Sequence, residues 1–140
     1  MADTIPRLVR LIARTDEARR ALGKAEVIIT AFPLNVGREC RTALMKLSIS
    51  VDRRLGGTSQ VNDIYLVDPT APYRVSREHF LIDYAEGKFV LTDRGSVGGT
   101  TVNGTTLGGD RRGGYTELHN QDEIVVGEAT SPFVFVFRID

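Results

Sequence analysis

The sequence predicts an all-β sandwich or barrel with one added N-terminal α-helix. Two observations lead to this fold class. From residue 26 onward, short apolar runs follow one another, and Gly, Pro, Asn or Asp bounds each run. Before residue 25, apolar residues recur at helical spacing instead. The chain has 140 residues, of which 41% are hydrophobic and 26% charged, so it can bury a core of its own.

The helix is predicted over residues 6–22. Apolar residues recur there near the i, i+3, i+4 spacing of one buried stripe, at Leu8, Leu11, Ile12, Ala18 and Leu22. Pro6 suits the first helical turn, and Gly23 suits the position just past the last turn. We therefore expect a helical extension over residues 1–24 and a β domain over residues 25–140.

The strands are predicted from alternation and β-branched content. The segment LSISVD alternates apolar and polar residues, as a half-buried strand does. PFVFVFRI is apolar on both faces, which predicts a strand between two neighbours in a sheet. The other predicted strands are EVIITAF, DIYLV, HFLIDY, KFVLTD and DEIVVG. Asn103 and Gly104 lie between two short β-prone runs, and this pair favours a two-residue type I′ turn.

Composition argues against several functions. Eighteen basic and eighteen acidic residues cancel, so the chain lacks the net basic character of most nucleic-acid binders. No apolar run is long enough to span a membrane, and the N-terminal apolar face lacks the Trp and Phe of interfacial helices. Cys40 is the single cysteine, which excludes an intrachain disulfide and suits a reducing compartment. We expect a cytoplasmic protein.

Enzymatic activity and cofactors are not expected. The Gly-rich segment RGSVGGTTVNG, residues 94–104, has no lysine and no following helix, so it is neither a P-loop nor a dinucleotide fingerprint. Ser76 and His79 are three residues apart, and in a strand they would point to opposite faces. Two histidines and one cysteine, widely spaced, give no metal-ligand pattern. His79 is therefore interpreted as a hydrogen-bonded structural residue.

Three polar pieces remain, each at a strand end or loop: NVGRE, VSREHF and DRGSVGGTTVNG. Loops at one end of a sandwich converge, and binding sites form there on a rigid scaffold. Arg38 can give two parallel N–H bonds to a phosphate, Ser76 can add a hydroxyl donor, and Arg77 can add charge at the rim. These residue types together can form a receptor for a phosphate group.

In this order, the three pieces resemble the forkhead-associated (FHA) domain family over residues 25–140. The resemblance implies an eleven-stranded β-sandwich whose loops at one end bind phosphothreonine peptides and do no chemistry. Arg38 and Ser76 match the family's principal phosphate ligands, and Arg77 matches a polar position near the phosphate. The family's structural positions are matched by Gly37, His79 and Asn103.

Two departures from the family pattern stand out. Val97 and Gly98 replace a threonine and an asparagine that bind phosphate and peptide backbone, so each lost neutral hydrogen bond would cost about 0.5–1.5 kcal/mol. The spacing between Arg38 and Ser76 is also longer than usual, which predicts an elongated insertion around residues 41–60.

Two functions follow from this pattern. The first is a phosphothreonine-dependent module that recruits a partner from a Ser/Thr kinase pathway, with a site formed by Arg38, Ser76, Arg77, Val97 and Gly98. The alternative is a phosphate-independent interaction or assembly domain that keeps the fold but has an eroded site.

Overall fold

A computed structural model describes residues 8–39 and 62–140 of the chain. The described part contains eleven strands and one short helix. In chain order they are β1 (Val9–Ala13), α1 (Asp16–Leu22), β2 (Glu26–Ile28), β3 (Leu34–Arg38), β4 (Ile64–Leu66), β5 (Phe80–Ala85), β6 (Lys88–Asp93), β7 (Thr100–Val102), β8 (Thr105–Leu107), β9 (Gly114–Leu118), β10 (Asp122–Val126) and β11 (Val134–Ile139).

The strands form two sheets. One sheet has the order β2-β1-β11-β10-β7-β8, and the other has the order β4-β3-β5-β6-β9. The assigned strand pairs are antiparallel except β3 with β4, which are parallel. This architecture confirms the predicted all-β sandwich with one helix.

The predicted helix over residues 6–22 is wrong in its first half. Residues 9–13 form β1, which pairs with β11 on one side and β2 on the other. Val9, Leu11 and Ala13 are buried in alternation, which is the period of a strand. A short apolar run fits both periods, and sheet pairing on both sides decides for the strand.

The helix itself begins later than predicted and ends where Gly23 indicates. The Thr15 hydroxyl caps the helix by accepting a 3.1 Å bond from the Ala18 N–H. Gly23 follows the last turn in the left-handed conformation, with φ 83°. Ala18 and Ala21 face the core. Nowhere in the described residues is there a helix long and apolar enough to cross a membrane.

The core lies between the two sheets. Its largest fully buried side chains include Phe80, Ile82, Leu91, Phe135 and Phe137. β11 lies between β1 and β10, as its apolar pattern predicts. The predicted strand LSISVD and the insertion expected around residues 41–60 lie outside the described residues.

Three loops at one end of the sandwich carry the residues discussed below. We call residues 67–79, between β4 and β5, the serine loop. Residues 94–99, between β6 and β7, are the glycine loop. Residues 108–113, between β8 and β9, are the arginine loop. The Asn103–Gly104 turn joins β7 to β8 at the other end of these strands. Both of its residues have positive φ, 48° and 86°, which confirms the type I′ turn.

Candidate functional site

One cleft of about 460 Å³ lies where the end of β3 meets the three loops. Four of its residues are arginines, and one is a glutamate. Its lining residues are Arg38, Ser76, Arg77, Glu78, Arg94, Gly95, Val97 and Arg111. The structure thus brings together four of the five predicted ligand positions, since Gly98 does not line this cleft.

Arg38 ends β3 and is held in place by three contacts. Its backbone N–H donates to the Ser76 carbonyl at 2.9 Å, and its Nε donates to the Val75 carbonyl at 2.9 Å. Its guanidinium carbon lies 4.2 Å from the centroid of the Tyr73 ring, a cation–π arrangement. Within the described residues, the two terminal nitrogens of Arg38 have no hydrogen-bond partner. They are therefore available to an anion in the cleft.

A glycine is required at position 37 because the Arg77 backbone approaches it closely, and not because of its backbone angles. A Cβ at this position would lie 1.9 Å from the Arg77 carbonyl oxygen and 2.5 Å from the Asn62 Nδ2. Its φ lies outside the left-handed region. The FHA resemblance implies a structural position for Gly37, and in the structure the Arg77 carbonyl of the serine loop is what excludes a side chain there.

Ser76 presents its hydroxyl to the cleft. The oxygen accepts a 3.0 Å bond from the Val97 N–H, which links the serine loop to the glycine loop. The Ser76 N–H donates to the Nδ1 of His79 at 2.9 Å. Since a hydroxyl both donates and accepts, the Ser76 proton can still be given to a ligand oxygen.

His79 is fully buried and neutral. Its Nδ1 accepts from Ser76, so the proton lies on Nε2, which donates to the Gly99 carbonyl at 2.6 Å. Burial lowers the pKa of His79, although the Gly99 bond and the nearby Asp93 carboxylate oppose the shift. Both ring nitrogens are engaged and neither is bonded to the Ser76 hydroxyl. This geometry does not activate Ser76 as a nucleophile.

Asp93 builds the glycine loop from below, and the sequence analysis gave it no role. Its carboxylate is 3% exposed and accepts four bonds, from the N–H groups of Gly95 and Ser96 and from the hydroxyls of Ser96 and Thr100. The distances are 2.6–3.0 Å. An aspartate at a strand end that accepts from the N–H two residues on, here that of Gly95, is a common turn-forming residue.

The two substituted positions behave differently. Val97 lines the cleft and is 55% exposed, and its N–H already donates to the Ser76 hydroxyl. Gly98 has no strained backbone angle, and the nearest atoms to a Cβ there would be 3.7 Å away. A Cβ would therefore fit at Gly98 without a steric clash.

Asn62 ties the outer wall of the cleft together and was also missed. It is 2% exposed, its Nδ2 donates to the Arg77 carbonyl at 2.7 Å, and its Oδ1 accepts from Arg94 at 2.6 Å. Arg94 is also 3.3 Å from the Glu78 carboxylate. A lone Asn in a loop carries no sequence signal for this role, because its two side-chain partners, Arg77 and Arg94, come from separate segments.

Asn103 lies away from the cleft, beyond the other end of β7. Its Nδ2 donates to Asp122 at 2.8 Å, and its Oδ1 accepts from the Glu123 N–H at 2.9 Å. It therefore attaches the β7–β8 turn to β10. Asn103 was predicted to support the site, but its side chain bonds to neither the serine loop nor the glycine loop.

The arrangement is a scaffold with a cationic cleft at one end, and comparison with known families identifies it. Residues 53–127 match the sequence model of the FHA domain, which is just over half of the chain. The chain belongs to the FHA-domain family. No curated protein matches this chain in sequence.

Solved FHA-domain structures share the fold at low identity. The FHA domain of the Chlamydia trachomatis protein CT664 is 17% identical, with 95% of this chain and 98% of that chain covered and a TM-score of 0.59. An Arabidopsis thaliana FHA domain is 21% identical, with coverages of 96% and 86% and a TM-score of 0.61. Mycobacterium tuberculosis EmbR, solved with a low-affinity phosphopeptide, is 19% identical with a TM-score of 0.58; 95% of this chain and 24% of EmbR are covered.

Proposed function

We propose that this FHA domain is a phosphothreonine-dependent binding module that recruits a partner phosphorylated by a Ser/Thr kinase. The observation that carries the proposal is the pairing of Arg38 and Ser76 in one cleft. Arg38 is fixed by Val75 and Tyr73 with its terminal nitrogens unused, and Ser76 has a hydroxyl proton to donate. Related FHA domains solved with a phosphopeptide, or studied for phosphothreonine-dependent interactions, support this assignment.

The site is suited to binding rather than to chemistry. A phosphate carries about −1.5 to −2 charges and accepts hydrogen bonds through its oxygens. Arg38 would supply the bidentate contact, Ser76 the hydroxyl contact and Arg77 charge at the rim. His79 and Gly37 would act indirectly, by holding the serine loop against Gly99 and β3. We infer a cytoplasmic setting from the single cysteine of the chain.

The test is calorimetry against a degenerate phosphothreonine peptide library and its unphosphorylated counterpart. Arg38→Ala should weaken phosphopeptide binding by about ten- to a hundredfold, because charge-assisted hydrogen bonds are lost. Arg112→Ala is the matched control, since Arg112 is exposed on the arginine loop and does not line the cleft. Equal binding of phosphorylated and unphosphorylated peptides would refute the proposal.

A second candidate function is phosphate-independent interaction through the same fold. Val97 and Gly98 favour it, because neither offers a side-chain hydrogen bond to a peptide. In that case Arg38→Ala would leave capture of the partner unchanged, and the unphosphorylated library would bind as well as the phosphorylated one.

A further inference from the structure

The arginine loop has a backbone that ordinary residues rarely adopt. Gly108, Gly109 and Gly113 have φ values of 66°, 92° and 74°. Asp110 and Arg111, which are not glycines, are also left-handed, with φ values of 50° and 65°. Two consecutive left-handed non-glycine residues are uncommon, and such residues cluster at functional sites.

This loop is fixed against the glycine loop. The Asp110 N–H donates to the Val97 carbonyl at 2.8 Å, and the Arg111 N–H donates to the Ser96 carbonyl at 3.0 Å. A Cβ on Gly108 would lie 2.8 Å from an Asp93 carboxylate oxygen, so the loop is packed onto the same buried aspartate. The left-handed turn therefore brings Arg111 to the cleft wall beside Val97.

The cleft arginines differ in what they already bind. Arg38 is held by Val75 and Tyr73, and Arg94 by Asn62 and Glu78. By contrast, the Arg77 and Arg111 side chains make no hydrogen bond or ion pair with any residue in 8–39 or 62–140.

The neighbouring Arg112 shows that Arg111 has a distinct environment. Arg112 donates to the Gly109 carbonyl at 3.3 Å and lies 3.7 Å from the Asp110 carboxylate, outside the cleft lining. The two arginines lie on the same loop and carry the same charge. Of the two, only Arg111 lines the cleft, and it has no partner among the described residues.

The charge of the cleft exceeds what one phosphothreonine supplies. Four arginines and one glutamate line the cleft, so the residues around it carry three net positive charges. A phosphothreonine brings about −1.5 to −2, which leaves at least one positive charge uncompensated. Val97 and Gly98 of the glycine loop offer the peptide no polar side chain. Any polar contact with the peptide beyond the phosphothreonine must therefore come from other residues of the cleft.

We propose that Arg111 binds a second anionic group on the peptide, so that the partner carries an acidic or second phosphorylated residue close to its phosphothreonine. This inference rests on the proposed phosphothreonine-dependent function. Carboxylate and phosphate share the chemistry that Arg111 recognises, and the experiment separates them.

The experiment measures affinity for four peptide sets by fluorescence anisotropy. The first is unphosphorylated, and the second carries phosphothreonine among neutral residues. The third adds one glutamate at each neighbouring position in turn, and the fourth adds phosphoserine at the same positions. Each set is measured with the unmodified domain, Arg111→Gly and Arg112→Ala. Glycine is chosen at position 111 because it accepts the left-handed conformation without strain.

The best glutamate peptide should bind about threefold to fivefold more tightly than the neutral phosphothreonine peptide, and the best phosphoserine peptide roughly tenfold more tightly. Arg111→Gly should remove this preference while changing the affinity for the neutral phosphothreonine peptide by less than about twofold. Arg112→Ala should retain the preference. High salt should reduce it, because the contact is partly exposed.

Two results would overturn the inference while leaving the proposed function intact. One is equal affinity for the neutral and anionic phosphothreonine sets. The other is an Arg111→Gly variant that weakens all phosphothreonine peptides equally, which would place Arg111 on the phosphothreonine itself. If the neutral phosphothreonine and unphosphorylated sets bind alike, the proposed function fails first, and the inference fails with it.

Discussion

The serine loop and the glycine loop face each other across the cleft, and each is organised around one buried polar side chain. His79 holds the serine loop through the Ser76 N–H and reaches the Gly99 carbonyl. Asp93 holds the glycine loop through four hydrogen bonds. The loops differ in what they present at the cleft: the serine loop offers Ser76 and Arg77, whereas the glycine loop offers the apolar Val97 and an arginine, Arg94, that is already bonded to Asn62.

This difference separates the framework of the site from its ligand contacts. Asp93 supplies the internal bonds that shape the glycine loop, although Val97 and Gly98 have no side-chain hydrogen-bonding groups. Buried residues such as Asp93 fix the shape of the loop, and under the proposed function exposed residues such as Val97 would set the affinity for a ligand. Substitutions at the two kinds of position should therefore have separable effects on stability and on binding.

The largest effect is expected from breaking the glycine loop at its base. Asp93→Ala leaves four donors without their acceptor in a buried site, so the free energy of unfolding should fall by about 3 kcal/mol or more. Urea denaturation measures this. Asp110→Asn, at an exposed carboxylate whose left-handed backbone asparagine tolerates, should change it by less than about 0.5 kcal/mol. A loss below about 1 kcal/mol for Asp93→Ala would contradict the role given to this carboxylate.

The next largest effect on stability is expected from adding a side chain at Gly37, beneath the serine loop. Gly37→Ala places a Cβ 1.9 Å from the Arg77 carbonyl oxygen, so the loop must shift. We expect a loss of about 1–3 kcal/mol in unfolding free energy together with weaker phosphopeptide binding. Gly98→Ala is the matched control, because its Cβ has room; it should be neutral or stabilising by up to about 1 kcal/mol. If both variants behaved alike, the close approach at Gly37 would not matter.

The serine loop should also be sensitive to pH through His79. Burial lowers the pKa of His79 in the native chain below its ordinary value of 6.5. At a pH between the native and the unfolded pKa, the unfolded chain therefore binds a proton that the native chain does not. Stability attributable to His79 is therefore full above about pH 6.5 and falls as the pH decreases below it, by at most about 1.4 kcal/mol per pH unit.

Denaturation curves between pH 5 and 7 should show this slope in the unmodified domain and in His119→Gln, whose replaced histidine is exposed. The slope should shrink in His79→Asn, which is expected to be less stable throughout. Equal slopes in all three proteins would mean that other groups govern the pH dependence.

The smallest effect is expected from adding a polar side chain to the glycine loop, which would make it more like the serine loop. Gly98→Asn should strengthen phosphopeptide binding about two- to tenfold, because an amide side chain can hydrogen-bond the peptide backbone. Circular dichroism should show an unchanged fold, since the position accepts a Cβ. No gain in affinity, with the fold intact, would mean that the peptide takes a different path past this loop.

Most of the fold could be predicted from the sequence, because the signals for strands and turns are local. Apolar runs bounded by turn residues predict β2, β4, β5, β6, β10 and β11, and the β-prone runs beside Asn103–Gly104 predict β7 and β8. β3 was not predicted as a strand, because its residues were interpreted only as a polar piece at a strand end or loop. β11 lies between two strands, as its pattern requires. The failure at residues 9–13 has a physical cause: five residues are too few to separate a helical from a strand period, and β11 and β2 supply the hydrogen bonds that decide it. β9 was also missed, because its Gly114–Leu118 sequence is polar and lies at a sheet edge.

The sequence by itself determined the all-β class, the type I′ turn at Asn103–Gly104 and the chemistry of Arg38, Ser76 and Arg77, because residue type and order set these. Only the tertiary structure decided that Gly37 is excluded from having a side chain by the Arg77 carbonyl, that Asn103 bonds away from the cleft and that Arg111 enters it. These outcomes depend on contacts between segments far apart in the chain. No local pattern encodes such contacts, because each one exists only when several strands have already paired.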